Sequence, residues 1–291
     1  MRRMILLAAA IVAVSSLFST NAEAKVEKAG VMSFNIRIQF PADTGKYNWE
    51  SRKAGCIKAF KKYNPDIIGL QEATASQKSF IMKELPKCIM IDGSTKPGTV
   101  GDDSTFCFNP IFFRADRFEL LDYGILWLNE DQSPEKKGWD AGYVRNVNWV
   151  KLSFKKSGQV IFFFNTHFDD TGTISRQESS ALLTEKVKEI AGDKAVVFLT
   201  GDFNARSDNK EIKDITSFFK ETAKTVKKAD TTPSFNHFGH KGSKPEMVDH
   251  IFYRNARADS FDVVDETKFG VRYISDHYPI ISWFSVTVPK D

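Results

Sequence analysis

Short apolar runs alternate along this chain with amphipathic stretches and with turns rich in Gly, Pro and Asp. Runs such as Phe162-Phe163-Phe164 are apolar at every position, which is typical of strands buried on both faces. Helical spacing predicts four helices, at residues 49–63, 76–85, 174–190 and 208–219. Strands are predicted at residues 26–40, 67–70, 88–91, 105–114, 118–128, 146–154, 160–167, 195–200, 248–253, 258–264 and 280–288.

This order predicts an α/β protein in which two stacked mixed sheets carry helices on their outer faces. No linker, repeat or low-complexity tract interrupts residues 25–291, so we expect one domain there. With 42% hydrophobic and 27% charged residues, the 291-residue chain is unlike disordered or fibrous proteins. The net charge is only +4, and the paired lysines are scattered, so no dense basic patch of the kind typical of tight nucleic-acid binders stands out.

The N-terminus has the three parts of a secretory signal peptide. Arg2 and Arg3 precede an apolar run at residues 4–18, and Ala22-Glu23-Ala24 follows it. The alternative is a membrane anchor, but the run is shorter than the roughly 20 residues that span a bilayer. We therefore predict a cleaved signal peptide at residues 1–24 and a secreted or periplasmic monomer without a transmembrane segment.

Three cysteines, Cys56, Cys88 and Cys107, follow the predicted signal peptide. An exported protein can form disulfides, and three cysteines allow at most one intrachain pair. The sequence does not rank the three pairings. The spacings match no zinc template, so buried thiols or one bridge are expected.

Polar residues occur at the ends of six predicted strands. Any one of them could be a cap or a turn residue. Because neighbouring strand ends lie at one edge of a sheet, six such ends together predict one cleft. The residues are Asn35, Gln71-Glu72, Asn165-Thr166-His167, Asp202-Phe203-Asn204, Asp249 and Ser275-Asp276-His277.

Carboxylate and amide oxygens suit a hard divalent cation, Mg²⁺ or Mn²⁺, which neutralises phosphate and a leaving oxygen. A His–Asp pair adds a general base or a phosphate donor. Zinc is disfavoured because no two histidines have ligand spacing, and the chain contains no nucleophile elbow, Walker loop or dinucleotide fingerprint. This combination indicates metal-assisted hydrolysis of a phosphoester.

Six motifs resemble the endonuclease/exonuclease/phosphatase superfamily, whose fold is that of pancreatic deoxyribonuclease. They cover nearly all of the chain after the predicted signal peptide, in the superfamily's order, and residues 111–152 are similar to a bacterial branch of it. The resemblance implies a four-layer α/β sandwich and a Mg²⁺-dependent phosphoester hydrolase. The motifs are SFNIR (33–37), GLQEA (69–73), FNTHFD (164–169), TGDFNA (200–205), VDHIF (248–252) and SDHYPI (275–280).

The resemblance also implies roles for individual residues. Glu72 would be the principal Mg²⁺ ligand, with Asn35 and Asp276 nearby. His277 would be the catalytic imidazole, and Asp249 would orient it.

Asp202 and Asn204 would position the attacking water and the phosphate, and His167 would donate to a phosphate oxygen. Arg145 and Arg176 are weaker candidates for phosphate contact. Arg176 could equally pair with a carboxylate on its own helix.

Two further positions are interpreted from their neighbours. His250 follows Asp249 on a strand and should point away from the site, as a structural residue. Cys107 aligns where the bacterial branch carries a glutamate that steadies the first active-site histidine. We therefore expect His167 to lack that carboxylate partner unless Asp169 replaces it.

The substrate is left open among DNA, RNA, phospholipid headgroups and soluble phosphates. A phosphodiesterase or nuclease is the first hypothesis. The alternatives are a phosphomonoesterase acting on sugar or inositol phosphates, and a binding protein of this fold with impaired catalysis.

Overall fold

The computed structural model describes residues 25–93, 95–105, 108–264 and 269–289. The predicted signal peptide and Cys107 lie outside these residues.

Short 3₁₀ helices occur at Gly45–Tyr47, Asp103–Thr105 and His237–Gly239. The α-helices are α1 (Trp49–Tyr63), α2 (Ala75–Glu84), α3 (Thr173–Ala191), α4 (Lys210–Thr216) and α5 (Thr222–Thr225). The strands are β1 (Val26–Asn35), β2 (Ile67–Gln71), β3 (Cys88–Ile91), β4 (Ile111–Arg114), β5 (Phe118–Trp127), β6 (Asn146–Phe154), β7 (Val160–His167), β8 (Val196–Asp202), β9 (Lys220–Glu221), β10 (Asp249–Arg254), β11 (Arg257–Val263) and β12 (Ile280–Thr287).

The strands form two six-stranded sheets. The first has the order β11-β12-β1-β2-β4-β3, and the second has the order β5-β6-β7-β8-β10-β9. Within each sheet one central pair is parallel, β1 with β2 and β7 with β8, and the other pairs are antiparallel. Both sheets are therefore mixed, as predicted.

Three apolar clusters separate four layers. Alternate residues of β1 and β7, such as Val31 and Phe163, pack between the sheets. Their neighbours Met32 and Phe164 point outward, Met32 toward α1 and α2 and Phe164 toward α3 and α4. Because both faces of the central strands are buried, their sequences are apolar without alternation. The predicted pair of mixed sheets flanked by helices is confirmed.

Most element bounds agree with the predictions, but β1 and β4 are shorter than expected. β1 ends at Asn35, because the chain turns at Arg37, whose φ of 61° is left-handed. β4 begins only at Ile111, directly after Pro110, which has no N–H for a ladder. Asn109 instead donates its side-chain amide to the Asn146 carbonyl at 3.0 Å.

The described cysteines are thiols. Cys56 is buried in α1 and donates to the Ile274 carbonyl at 3.4 Å, and Cys88 is half-buried at the start of β3. Burial raises the pKa of Cys56 to about 12 and that of Cys88 to about 11, so neither forms a thiolate readily. No helix among the described residues is both long and apolar enough to cross a membrane.

Hydrogen bonds join the two sheets near the ends of their parallel strands. Asn165 of β7 accepts from Gln71 Nε2 of β2 at 2.7 Å and from Thr200 Oγ1 of β8 at 2.9 Å. Its own amide donates to the Leu70 carbonyl at 2.6 Å. Gly69 makes this approach possible, because a Cβ there would lie 2.3 Å from Thr200 Oγ1 and 2.4 Å from Asn165 Oδ1. A polar contact thus fixes the spacing of the sheets beside the predicted cleft.

We expect the Gly69→Ala variant to unfold at lower urea concentration than the parent. The added methyl must push the sheets apart or break the Asn165 hydrogen bonds, which costs about 1–3 kcal/mol. Urea unfolding followed by circular dichroism measures the loss. An unchanged midpoint would show that the sheets do not meet here as closely as the structure has them.

Candidate active site

Three residues at this edge of the sheets have left-handed backbones. Arg37, Glu72 and Asn204 follow β1, β2 and β8, with φ of 61°, 61° and 47°. Such conformations are costly for residues other than glycine and persist where the surrounding structure enforces them. Here each redirects the chain where a strand ends, so that polar side chains face one another at the edge.

Asn35, at the end of β1, connects the two sheets within the site. Its Nδ2 donates to Glu72 Oε1 at 3.0 Å and to Asp202 Oδ2 at 2.9 Å. Its Oδ1 accepts from the Arg37 backbone N–H at 3.0 Å. Asn35 therefore presents a donor to the carboxylates, and it acts on the predicted metal site by orienting Glu72.

His277 and Asp249 form the predicted pair. His277 Nδ1 lies 2.7 Å from Asp249 Oδ2, and both side chains are buried. Burial lowers the pKa of His277, but the charges of Asp249 and Asp202 outweigh it and raise the pKa to about 10. His277 is consequently an imidazolium at neutral pH, with Nδ1–H donated to Asp249 and Nε2–H available toward Asp202.

Asp202 Oδ2 lies 3.5 Å from both His277 Nε2 and His167 Nε2. Burial raises the pKa of Asp202 to about 7, with the charge of Asp249 adding to the rise and His277 opposing it. At neutral pH this carboxylate can therefore exchange a proton, as a general base requires.

His167 is neutral, in contrast to His277. Burial lowers its pKa well below the usual value, and the charges of Arg145 and His277 lower it further. Asn204 Nδ2 lies 3.1 Å from His167 Nε2, and because that amide nitrogen can only donate, Nε2 accepts. In this hydrogen-bonding arrangement the ring proton of His167 is on Nδ1.

Glu72 and Asp276 form the candidate site for a divalent cation. Asp276 is buried, and its pKa is raised by burial and by the charge of Glu72 nearby, against the lowering effects of His277 and Arg37. Two carboxylates that repel each other in a buried site are typical of a cation site. A second group, Asp202, Asp249 and His277, offers ligand atoms within 4.8 Å of one another. The resemblance assigns the cation to Glu72 and Asp276, and a cation bound there leaves the hydrogen bond between Asp249 and His277 intact.

Residues 32–277 match the model of the Endonuclease/Exonuclease/phosphatase family. The chain belongs to this family. Its members are phosphoester hydrolases, generally dependent on divalent metals, and the chain is a phosphoester hydrolase of the family. The resemblance seen in the six motifs and the fold that it implied are thereby confirmed.

Family members of known structure share the fold over nearly their whole length. An endonuclease/exonuclease/phosphatase from Bacteroides vulgatus is 30% identical, with a TM-score of 0.79 over 89% of this chain and 99% of its own. A mannosyl-6-phosphatase from Bacteroides thetaiotaomicron is 26% identical, with a TM-score of 0.79 over 88% of this chain and 99% of its own. Tyrosyl-DNA phosphodiesterase 2 of Danio rerio is 24% identical over 65% of this chain, but the match spans only 44% of that protein.

The site of this chain includes two residues that received no role from the sequence. Arg37 Nη1 lies 3.5 Å from Asp276 Oδ2, and its Nε donates to Asp43 at 3.0 Å. The Phe235 ring stacks on the His277 imidazole, with centroids 4.4 Å apart. Arg37 stands inside the SFNIR motif, which could have indicated it. Phe235 lies in a loop without pattern, and only the fold brings it there.

Asp169 does not replace the missing glutamate beside His167. Its buried carboxylate accepts from the backbone N–H groups of Gly142, Tyr143 and Gly172 at 2.7–3.0 Å and from Arg145 Nε at 3.2 Å. Both oxygens are thus engaged with neighbouring loops. The expectation that Asp169 could steady His167 is not met, and among the described residues His167 Nε2 lies 3.1 Å from Asn204 Nδ2 and 3.5 Å from Asp202 Oδ2.

Arg145 and Arg176 have different surroundings. Arg145 is close enough to His167 to lower its pKa, which places it beside the site. Arg176 donates to Glu211 of α4 at 3.1 Å and to the Asp169 carbonyl at 2.9 Å. Contrary to the prediction of a phosphate contact, Arg176 joins α3 to α4, and its carboxylate partner lies on the neighbouring helix instead of its own.

His250 has the structural position that was expected. Its ring points away from Asp249, with Nδ1 lying 3.1 Å from Glu221 Oε1 and Nε2 2.8 Å from the Ala205 carbonyl. It is buried and takes no part in the site.

We expect Arg145→Ala and Arg176→Ala to differ in their effect on activity, although each removes the cation paired with a buried carboxylate. Arg145→Ala removes positive charge beside the phosphate site and should lower kcat/KM by about tenfold or more. Arg176→Ala should keep kcat/KM within about twofold but lose roughly 3 kcal/mol of stability, because buried Glu211 is left unpaired. Steady-state kinetics and urea unfolding of both variants test this. A large loss of kcat/KM in Arg176→Ala would show that Arg176 does contact the substrate.

Proposed function

We propose that this protein is an exported, Mg²⁺-dependent phosphoester hydrolase that removes phosphate from phosphorylated sugars. The observation that supports the chemistry most is the convergence of Glu72 and Asp276 with the His277–Asp249 pair at one edge of two sheets. Mn²⁺ would serve the same oxygen ligands.

Glu72 and Asp276 would hold the cation, with Asn35 orienting Glu72. When bound, the cation supplies a Lewis acid that neutralises the phosphate and the departing oxygen. Neutralising the phosphate and the departing oxygen in this way does not require a nucleophilic side chain. This agrees with the absence of a nucleophile elbow from the sequence.

The remaining residues act on the phosphate and on water. The His277 imidazolium, held by Asp249, would neutralise a phosphoryl oxygen through Nε2–H. Asp202, with its pKa of about 7, would accept a proton from the attacking water, and the Asn204 backbone N–H, 3.0 Å from Asp202 Oδ1, would hold the carboxylate in place. Arg145 would add positive charge beside His167.

A sugar phosphate is favoured as the substrate by the surface and by the comparisons. The similar structure named as a mannosyl-6-phosphatase aligns over 99% of its length. A net charge of +4 with scattered lysine pairs gives little of the basic groove that long nucleic acids need. The second candidate is a nucleic-acid phosphodiester, supported by the 24% identity to tyrosyl-DNA phosphodiesterase 2.

The test is a substrate panel with and without metal. We expect the parent to release phosphate from mannose 6-phosphate or glucose 6-phosphate with Mg²⁺ and not with EDTA, and to act poorly on bis-p-nitrophenyl phosphate and plasmid DNA. Glu72→Gln should lose on the order of 100-fold or more of this activity, because the cation loses a charged ligand. Glu185→Gln, at an exposed position on α3, is the control and should keep full activity.

Metal binding gives an independent readout. Mg²⁺ should raise the Tm of the parent and of Glu185→Gln but not that of Glu72→Gln, because a ligand stabilises the state that binds it. Faster turnover of diesters than of sugar phosphates would favour the second candidate, and turnover in EDTA equal to that in Mg²⁺ would contradict both.

Export is tested separately. The full chain expressed in a bacterium should appear outside the cytoplasm with its N-terminus at Lys25, and a variant with Arg2 and Arg3 replaced by Glu should be retained. Cell fractionation and N-terminal sequencing measure this. Intact Met1 in the cytoplasmic fraction of the parent would contradict it.

A further inference from the structure

Two aromatic side chains stand out on the described surface because water reaches much of them. Phe40 is 49% exposed and Tyr143 is 60% exposed, and the other aromatic residues in the described part of the chain are buried or half-buried. Each lies under an arginine of the site, with Arg37 5.5 Å from the Phe40 ring centroid and Arg145 5.3 Å from that of Tyr143. The exposed rings therefore accompany the charges of the site and are not scattered over the surface.

The backbone of the loop at Tyr143 is hydrogen-bonded to a buried carboxylate. Its backbone N–H donates to Asp169 Oδ2 at 3.0 Å, and that of Gly142 donates to Asp169 Oδ1 at 3.0 Å. Asp169 follows His167 by two residues, and its side chain is fully buried. The loop that carries the ring is thus attached directly to the end of β7, where the phosphate-side histidine lies.

A second anchor ties the same loop to helix α3. Asp140 Oδ1 accepts from the Ser175 N–H at 2.6 Å, and its Oδ2 accepts from the Ile174 N–H at 3.2 Å. Gly172 allows this contact, since a Cβ there would lie 2.6 Å from Asp140 Oδ1. With its backbone anchored to Asp169 and to the start of α3, the loop holds Tyr143 in its exposed position.

A fixed, exposed ring favours a particular ligand. Leaving an aromatic ring in water forgoes the free energy of its burial, which a flat apolar partner can recover. Arg145 lies over the ring and also near His167, so a group stacked on the exposed part of Tyr143 would be one side chain away from a bound phosphate. The face of a sugar ring, apolar through its C–H groups and bearing a phosphate at its edge, matches this arrangement.

We propose that Tyr143 forms the sugar subsite, on which the pyranose ring of the phosphorylated substrate stacks while Arg145 faces its phosphate. This rests on the proposed function, and it adds a residue that determines which alcohol the enzyme accepts. Long nucleic acids would need several such rings along a basic groove, which the two exposed rings do not provide.

The experiment compares Tyr143→Ala and Tyr143→Phe with the parent, using a ring substrate and a ringless one. Mannose 6-phosphate carries a pyranose, whereas glycerol 3-phosphate carries the same phosphate without a ring. Stacking acts equally on bound substrate and transition state, so Tyr143→Ala should raise KM for mannose 6-phosphate about tenfold with kcat within about twofold. KM for glycerol 3-phosphate should stay within about twofold of the parent value.

Controls separate stacking from other effects. Tyr143→Phe keeps the ring and should retain the parent KM for mannose 6-phosphate. Leu121→Ala, which shortens another exposed apolar side chain, should match the parent on both substrates. All variants should keep the parent Tm, because Leu121 and Tyr143 are already 45% and 60% exposed.

The possible outcomes separate failure of the proposed sugar subsite from failure of the proposed function. If the parent cleaves mannose 6-phosphate but Tyr143→Ala does so with an unchanged KM, the subsite is wrong and the function stands. Equal KM increases for glycerol 3-phosphate and mannose 6-phosphate would also overturn the subsite. If the parent cleaves no sugar phosphate, the proposed function and the subsite both fail.

Discussion

The side-chain amide of Asn35 donates to Glu72, which follows a strand of the first sheet, and to Asp202, which ends a strand of the second. A single donor group thereby connects the metal side of the site to the side that carries the histidines. The distance between the sheets is critical for this contact, and it is set below the site by Asn165 and Gly69. The chemistry thus depends on a polar contact between two layers that are otherwise held together by apolar packing.

Burial of so many ionisable groups in one place gives them different protonation states. Asp249 and Asp202 keep a proton on His277 against the effect of burial, whereas burial and the charge of Arg145 keep His167 neutral by lowering its pKa. The two histidines therefore cannot exchange roles, although both end up beside Asp202. Such a separation of similar groups by their surroundings is a common property of catalytic sites.

The failed expectations share a physical cause. Asp169 is the last residue of the FNTHFD motif and Arg176 follows that motif on α3, which made both charged residues candidates. Each has instead a nearby structural partner: Asp169 accepts from the backbone N–H of Gly172 at the start of α3, and Arg176 donates to the buried carboxylate of Glu211 on α4. A charged residue that acts in a site and one that anchors a loop can have the same charge and the same place relative to a motif, so the sequence does not distinguish them. Only the three-dimensional partners separate the two.

The sequence by itself determined the layers and most of the site. Apolar runs without alternation required strands covered on both faces, and the polar residues at their ends, such as Glu72 and His277, could be identified because strand ends share one edge of a sheet. Three features were decided by the tertiary structure: the role of Asn35 as a donor between sheets, the stacking of Phe235 on His277, and the exposure of Tyr143. The physical reason is that these depend on contacts between elements far apart in the chain, and no local pattern of residues encodes which loop lies beside which strand end.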